Sequence, residues 1–191
     1  MNPTSGFSAV QPVVLVGGQS QRFGRDKLVE RVAGRPLVAV AIEALSAVFA
    51  RGVCLVGPCS DAVRALAPQW IDDRHGGIGP MGGIFSALAH FNCDLFVLAG
   101  DLPRMHAEAV RQVAAAAEAD PQAEAVLARS AKRIEPCIGV YRVAMQAPLA
   151  DAIARSDYAL FRLLTARRVA AVPLPPDVCA NVNWPSDLPG R

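Results

Sequence analysis

The sequence predicts an α/β fold, a three-layer sandwich around a mainly parallel sheet with right-handed crossovers. Short apolar runs that stop at glycine read as strands buried on both faces, the habit of parallel sheets. They alternate with helical patterns along the chain. The length of 191 residues favours one domain, and 52% hydrophobic against 19% charged residues supplies a packed core and excludes a disordered chain.

Pro12-Val13-Val14-Leu15-Val16 is the first strand, stopped by Gly17-Gly18. After a polar loop through Lys27, the stretch Leu28 to Gly34 ends in a turn, and a helical pattern runs from near Pro36 to Ala50. Proline suits a first helical turn because the N–H it lacks would find no helical partner there. The run from Gly52 to Gly57 is a second strand, Asp61 to Leu66 a short helix capped by Ser60 or Asp61, and Trp70-Ile71 a third strand. A glycine-rich loop from Gly76 to Gly83 precedes a helix to about His90. The most strand-like segment, Asp94 to Gly100, ends at Asp101-Leu102-Pro103. From His106 to Ala119 alanine dominates, where helix propensity is strongest. Strands follow at Ala125 to Ala128 and Cys137 to Tyr141, helices at Met145 to Arg155 and Tyr158 to Arg167, and a strand at Val169 to Pro173. The tail from Pro175 to Arg191 reads as mostly irregular.

Several classes of partner are excluded by charge and composition. The net charge of +2 comes from 19 basic and 17 acidic residues without a basic stripe, so nucleic acid is not an expected partner. The longest apolar stretch, Leu37 to Ala50, contains Glu43 and is shorter than the ~20 residues of a membrane span, so no membrane is expected either. Five cysteines, an odd number without a CxxC pair, and an N-terminus without a basic leader point to the reducing cytoplasm.

The chemistry collects after the strands. Gly17-Gly18-Gln19-Ser20-Gln21-Arg22-Phe23-Gly24-Arg25-Asp26-Lys27 follows the first strand directly, so its free N–H groups stand at a carboxyl edge where an anion binds. It fits neither GxxxxGK[ST] nor GxGxxG. Arg22 and Lys27 add a bidentate and a mobile cation to the same loop, which suits a triphosphate. The alternative is a solvated basic turn. Asp101, just past the best strand, is placed to hold Mg²⁺ with phosphate oxygens, or else to cap a following helix. Asp72-Asp73 and the Gly76 to Gly83 loop follow another strand at that edge, where glycine lets backbone approach a base or ribose. In Asn181-Val182-Asn183 the two amides alternate with valine and share one side of an extended segment, although Asn is also a common turn residue. The three histidines lack ligand spacing, and no nucleophile with a base stands out.

Taken in order, GGQSQRFGRDK, IDD, GPMGGIFSAL, GDLP, EPCIGVYR and NVNWPSDL resemble the molybdenum cofactor guanylyltransferases, from about Val13 to Leu188. The opening signature is shared with other nucleotidyltransferases, whereas NVNxPxDL is particular to this branch. The resemblance implies a Rossmann-like nucleotidyltransferase fold, with a nucleotide-binding half over about 11–105 and an acceptor-side half over about 106–191. It implies GTP and molybdopterin as substrates, Mg²⁺ as cofactor, and molybdenum-insertion proteins and apo-molybdoenzymes or their chaperones as candidate partners. By the same resemblance Leu15, Gly17, Gly18, Lys27 and Asp73 contact GTP, Asp101 binds GTP and the metal, Arg22 lies against the triphosphate, and Asn181 and Asn183 stand near the cofactor half. Leu15-Val16-Gly17-Gly18 replaces the usual LAGG, Phe23 a common Met and Gly100 a frequent Cys; no charged or ligating group is lost. Cytidylyl transfer to molybdopterin, sugar-phosphate nucleotidyl transfer, and a non-catalytic nucleotide or cofactor carrier are the competing readings.

Overall fold

The computed structural model describes residues 9–17, 23 and 26–188. Seven strands form one sheet in the order β5-β4-β1-β6-β8-β7-β9. They are β1 (Gln11–Leu15), β4 (Cys54–Val56), β5 (Gln69–Ile71), β6 (Leu95–Ala99), β7 (Ala125–Ser130), β8 (Arg133–Tyr141) and β9 (Val169–Leu174). Six run parallel, and β8 alone is antiparallel to both neighbours. The mainly parallel α/β sheet is therefore as expected.

Alternate residues of each strand serve opposite faces. Val14, Leu55, Phe96 and Leu98 pack towards α1 (Leu37–Ser46) and α4 (Ala107–Ala119), burying Val38, Leu45, Val110 and Val113. Their neighbours Val13, Cys54, Val56, Leu95 and Val97 face α3 (Pro80–Phe91), α5 (Gln146–Ala154) and α6 (Leu160–Thr165). Each fully buried Leu or Val contributes roughly 1.5–3 kcal/mol by leaving water, which makes this three-layer packing the main source of stability. The short helix α2 (Asp61–Arg64) links β4 to β5.

Three local features depart from the sequence reading. The first helix stops at Ser46, not Ala50, because Val48 and Phe49 reach the core from a turn in which both N–H groups donate to the Leu45 carbonyl. The stretch after Lys27 holds a two-stranded hairpin, β2 (Arg31–Val32) and β3 (Arg35–Pro36), too short to show a period. The C-terminal tail includes a 3₁₀ turn, Pro185–Asp187, and Val182 and Leu188 join Phe23, Val32 and Leu37 in a third small core. That core holds the tail against the start of the chain.

β8 carries an irregularity that positions the site. Opposite Leu127 stands Gly139, but opposite Ala128 stands Glu135, so Pro136, Cys137 and Ile138 are extra residues on the bulged strand. Proline in a strand belongs at such a place. Tyr141, fully buried, pins the bulge by donating its hydroxyl to the Pro136 carbonyl at 2.7 Å. Gly139 has φ +149°, and a Cβ there would lie 2.2 Å from the Val126 carbonyl oxygen. Gly139→Ala is expected to destabilise the protein by about 3 kcal/mol, read as a lower urea midpoint at unchanged slope. A midpoint equal to that of the unaltered protein would contradict this account of the bulge.

Candidate active site

The carboxyl ends of β1, β4, β5 and β6 open into one cleft of about 1030 Å³, where an open parallel sheet leaves loop N–H groups free for a ligand. Its walls are close-packed turns. Gly57 has φ +106°, and a Cβ built on it would meet the Cα and N of Gly17 at 2.9 Å. Only glycine lets the turns after β1 and β4 touch in this way. From behind, Trp70 Nε1 donates to the Gly57 carbonyl at 2.8 Å, and the Arg64 guanidinium lies 3.9 Å from the centre of the Trp70 ring.

Lys27 opens a 3₁₀ turn whose cap is Asp26, with Oδ1 accepting from Leu28 N–H at 3.0 Å. The other Asp26 oxygen accepts the Ser60 hydroxyl at 2.8 Å, so Ser60 precedes α2 without capping it through its side chain and braces the first loop instead. The turn aims Lys27 inward. Its Nζ donates to Asp101 Oδ2 at 2.6 Å and to the Val182 carbonyl at 2.9 Å. With side chains only 18% and 14% exposed, the pair is largely withdrawn from water, where charge-assisted hydrogen bonds are strong.

Asp101 is further held by its own carbonyl, which accepts from Val182 N–H at 2.9 Å. It caps no helix, since α4 begins at Ala107 with His106 as its cap. Its Oδ1 is buried and has no hydrogen-bond partner among the described residues. A lone buried carboxylate oxygen suits a hard cation, and Mg²⁺ asks for only one or two protein carboxylates when phosphates and water complete its shell. Among the described residues no group of three or more His, Cys, Asp or Glu could hold a metal. The residues therefore fit a magnesium ion carried with phosphates.

Asp73 reaches the cleft from the turn after β5, while Asp72 is exposed and outside the lining. Asp73 Oδ1 accepts from His75 N–H at 2.9 Å and from the Ser86 hydroxyl at 3.1 Å. Leu15 and Gly17 line the same cleft. Of the asparagine pair, Asn181 lines it and Asn183 is exposed outside it. Asn183 and Trp184 N–H groups both donate to Asp187 Oδ2, at 2.9 and 2.8 Å, in the turn that follows. Gly18 and Arg22 lie outside the described residues.

Cys137, in the cleft wall, was not singled out as a site residue by the sequence. Burial foremost, then the charges of Asp101 and Glu135, pushes its thiol up to about 12. It stays protonated at neutral pH and forms wall, not nucleophile. A cysteine at the start of an apolar run does not by itself mark a site residue.

Fold and cleft together place the chain in the nucleotidyltransferase class of α/β proteins. Residues 12–171 match the MobA-like NTP transferase domain, and the chain belongs to that family. A relative from Trichormus variabilis named "Probable molybdenum cofactor guanylyltransferase" is 33% identical, over 92% of this chain and 87% of its own length. One of the same name from Pyrococcus furiosus is 31% identical, over 84% and 82%. Among solved structures, molybdopterin-guanine dinucleotide biosynthesis protein A from Archaeoglobus fulgidus superposes with a TM-score of 0.74 at 24% identity, covering 94% of this chain and 95% of its own. The 2-C-methyl-D-erythritol 4-phosphate cytidylyltransferase from Thermus thermophilus gives 0.64 at 17%, covering 92% and 94%. At these identities the two structures share the fold. No helix among the described residues is long and apolar enough to cross a membrane.

Proposed function

We propose that this chain transfers GMP from GTP to the terminal phosphate of molybdopterin, forming molybdopterin guanine dinucleotide and releasing pyrophosphate. The observation that carries the reading is the Lys27–Asp101 pair at 2.6 Å in a glycine-walled cleft, and the names of the relatives supply the base and the acceptor. An acceptor phosphate oxygen attacks the α-phosphorus of GTP. The bond from that phosphorus to the oxygen bridging the β-phosphate breaks, and pyrophosphate leaves with the electron pair. An ionised phosphate is already a nucleophile and needs no base, so positioning and charge neutralisation supply the catalysis.

In this reading Lys27 neutralises charge developing on the α-phosphate and the leaving pyrophosphate, with Arg22 as the second cation of its loop. Gly17 and Gly18 bring backbone N–H groups to the phosphates, Leu15 and Asp73 bind the nucleoside side, and Asn181 faces the acceptor half, with Asn183 left outside the cleft. Asp101 would hold Mg²⁺, which would screen phosphate charge and align the reacting groups. The test is pyrophosphate release by the purified protein with molybdopterin and Mg²⁺, run in parallel with GTP, CTP, ATP and UTP. Release with GTP alone is the expected result. Release with CTP instead moves the chain to cytidylyl transfer, and silence with all four despite GTP binding makes it a carrier.

A further inference from the structure

We infer that Ser86 is a positioning residue for Asp73 and that it sets how tightly the cleft holds the nucleoside part of its nucleotide. The inference rests on the reading of Asp73 as a nucleotide contact. Ser86 is 7% exposed, one of two buried polar residues among those described. It stands on α3, and its hydroxyl works in both directions. It donates to Asp73 Oδ1 at 3.1 Å and accepts from Arg74 N–H at 3.2 Å. One side chain thus closes the turn and fixes the carboxylate within it.

His75 N–H also donates to that oxygen, at 2.9 Å, so Oδ1 is occupied by the chain's own donors. Oδ2 takes no hydrogen bond from the described residues and is the oxygen left for a ligand. The carboxylate lies against the first turn of α3 at Gly82, where the helix dipole favours negative charge. Gly82 makes room for it: a Cβ there would meet both Asp73 carboxylate oxygens at 2.9 Å and the His75 carbonyl at 2.6 Å. An ionised carboxylate only accepts hydrogen bonds. Among the parts of a nucleotide, the hydrogen-bond donors open to Oδ2 are a ribose O–H or a base N–H, while an ionised phosphate offers none.

Calorimetric titration with GTP and, separately, with inorganic tripolyphosphate tests this without any turnover. Ser86→Ala is expected to weaken GTP about tenfold and to leave tripolyphosphate, which has no nucleoside, unaffected. Ser86→Thr, which keeps the hydroxyl, restores GTP binding. In an Asp73→Ala background the Ser86→Ala change adds less than about twofold, since the two act as one unit. Parallel loss of GTP and tripolyphosphate in Ser86→Ala overturns the inference, because that is the signature of a merely structural serine. Wild-type GTP affinity in Ser86→Ala alongside weakened binding in Asp73→Ala overturns it while sparing the role of Asp73. Failure of the unaltered protein to bind GTP refutes the functional reading itself.

Discussion

Replacing Asp101 with alanine is expected to lower Mg²⁺-dependent pyrophosphate release about a thousandfold or more while leaving the far-ultraviolet circular dichroism spectrum unchanged. The carboxylate has two separate tasks. Oδ2 holds Lys27 at 2.6 Å, and the buried Oδ1 has no hydrogen-bond partner among the described residues. The backbone of Asp101 is tied to Val182 independently of the side chain, so the turn survives the substitution. Asp101→Asn, which keeps shape and loses charge, separates the two tasks: it retains a neutral acceptor for Lys27 and loses the anionic ligand. It should be as inactive as alanine and close to the unaltered protein in melting temperature. Turnover at the unaltered rate in either variant would remove Asp101 from the metal site.

The second large effect belongs to Lys27. Lys27→Ala should lower kcat about a hundredfold, with the loss limited by Arg22 on the same loop. The ammonium is a point donor seated between two oxygens, Asp101 Oδ2 and the backbone carbonyl of Val182, and the Lys27 and Asp101 side chains are mostly withdrawn from water. The planar guanidinium of Lys27→Arg does not fit that seat, so arginine should rescue little of the rate although it restores the charge. Steady-state rates with GTP varied at saturating molybdopterin check both variants. A Lys27→Ala enzyme with unaltered kcat would refute charge neutralisation by this residue.

The legible parts of the fold were those that local pattern fixes. Val13, Val14, Leu95 and Val97 declare buried strands by being apolar at consecutive positions, and they are fully buried in the sheet. Helix α4 declares itself by alanine propensity alone; that His106, read as its first residue, instead caps it, with Nδ1 accepting from Ala109 N–H at 3.3 Å, shows only in the structure. The bounds of α1 were less legible, because Val48 and Phe49 continue an apolar pattern in a turn that buries them equally well. The bulge in β8 was illegible, since the register of a strand depends on its neighbours.

The same division runs through the site. Gly17, Asp73 and Asp101 could be placed at the cleft because each lies just past the carboxyl end of a strand, and an open parallel sheet sends those ends to one edge, whereas Leu15, the last residue of β1, came only from the family resemblance. Ser86 could not: a serine inside an amphipathic helix carries no sign that a carboxylate will fold onto it. Gly57 and Cys137 carried none either, since a glycine after a strand and a cysteine within one are ordinary features.

The sequence by itself determined the alternation of buried strands and helices, the carboxyl edge, and the residue types available there to meet a nucleotide. Only the tertiary structure decided which of them meet. Lys27 reaches Asp101 across 74 residues of chain and the Val182 carbonyl across 155. No local periodicity encodes such contacts. They follow from strand order, which sets β1 beside β6, and from the small core of Phe23, Val32, Leu37, Val182 and Leu188, which draws the tail back onto the first loop. Burying those apolar side chains together offsets the entropy of closing so long a loop, and the lysine, the aspartate and the valine carbonyl are brought into contact as a result.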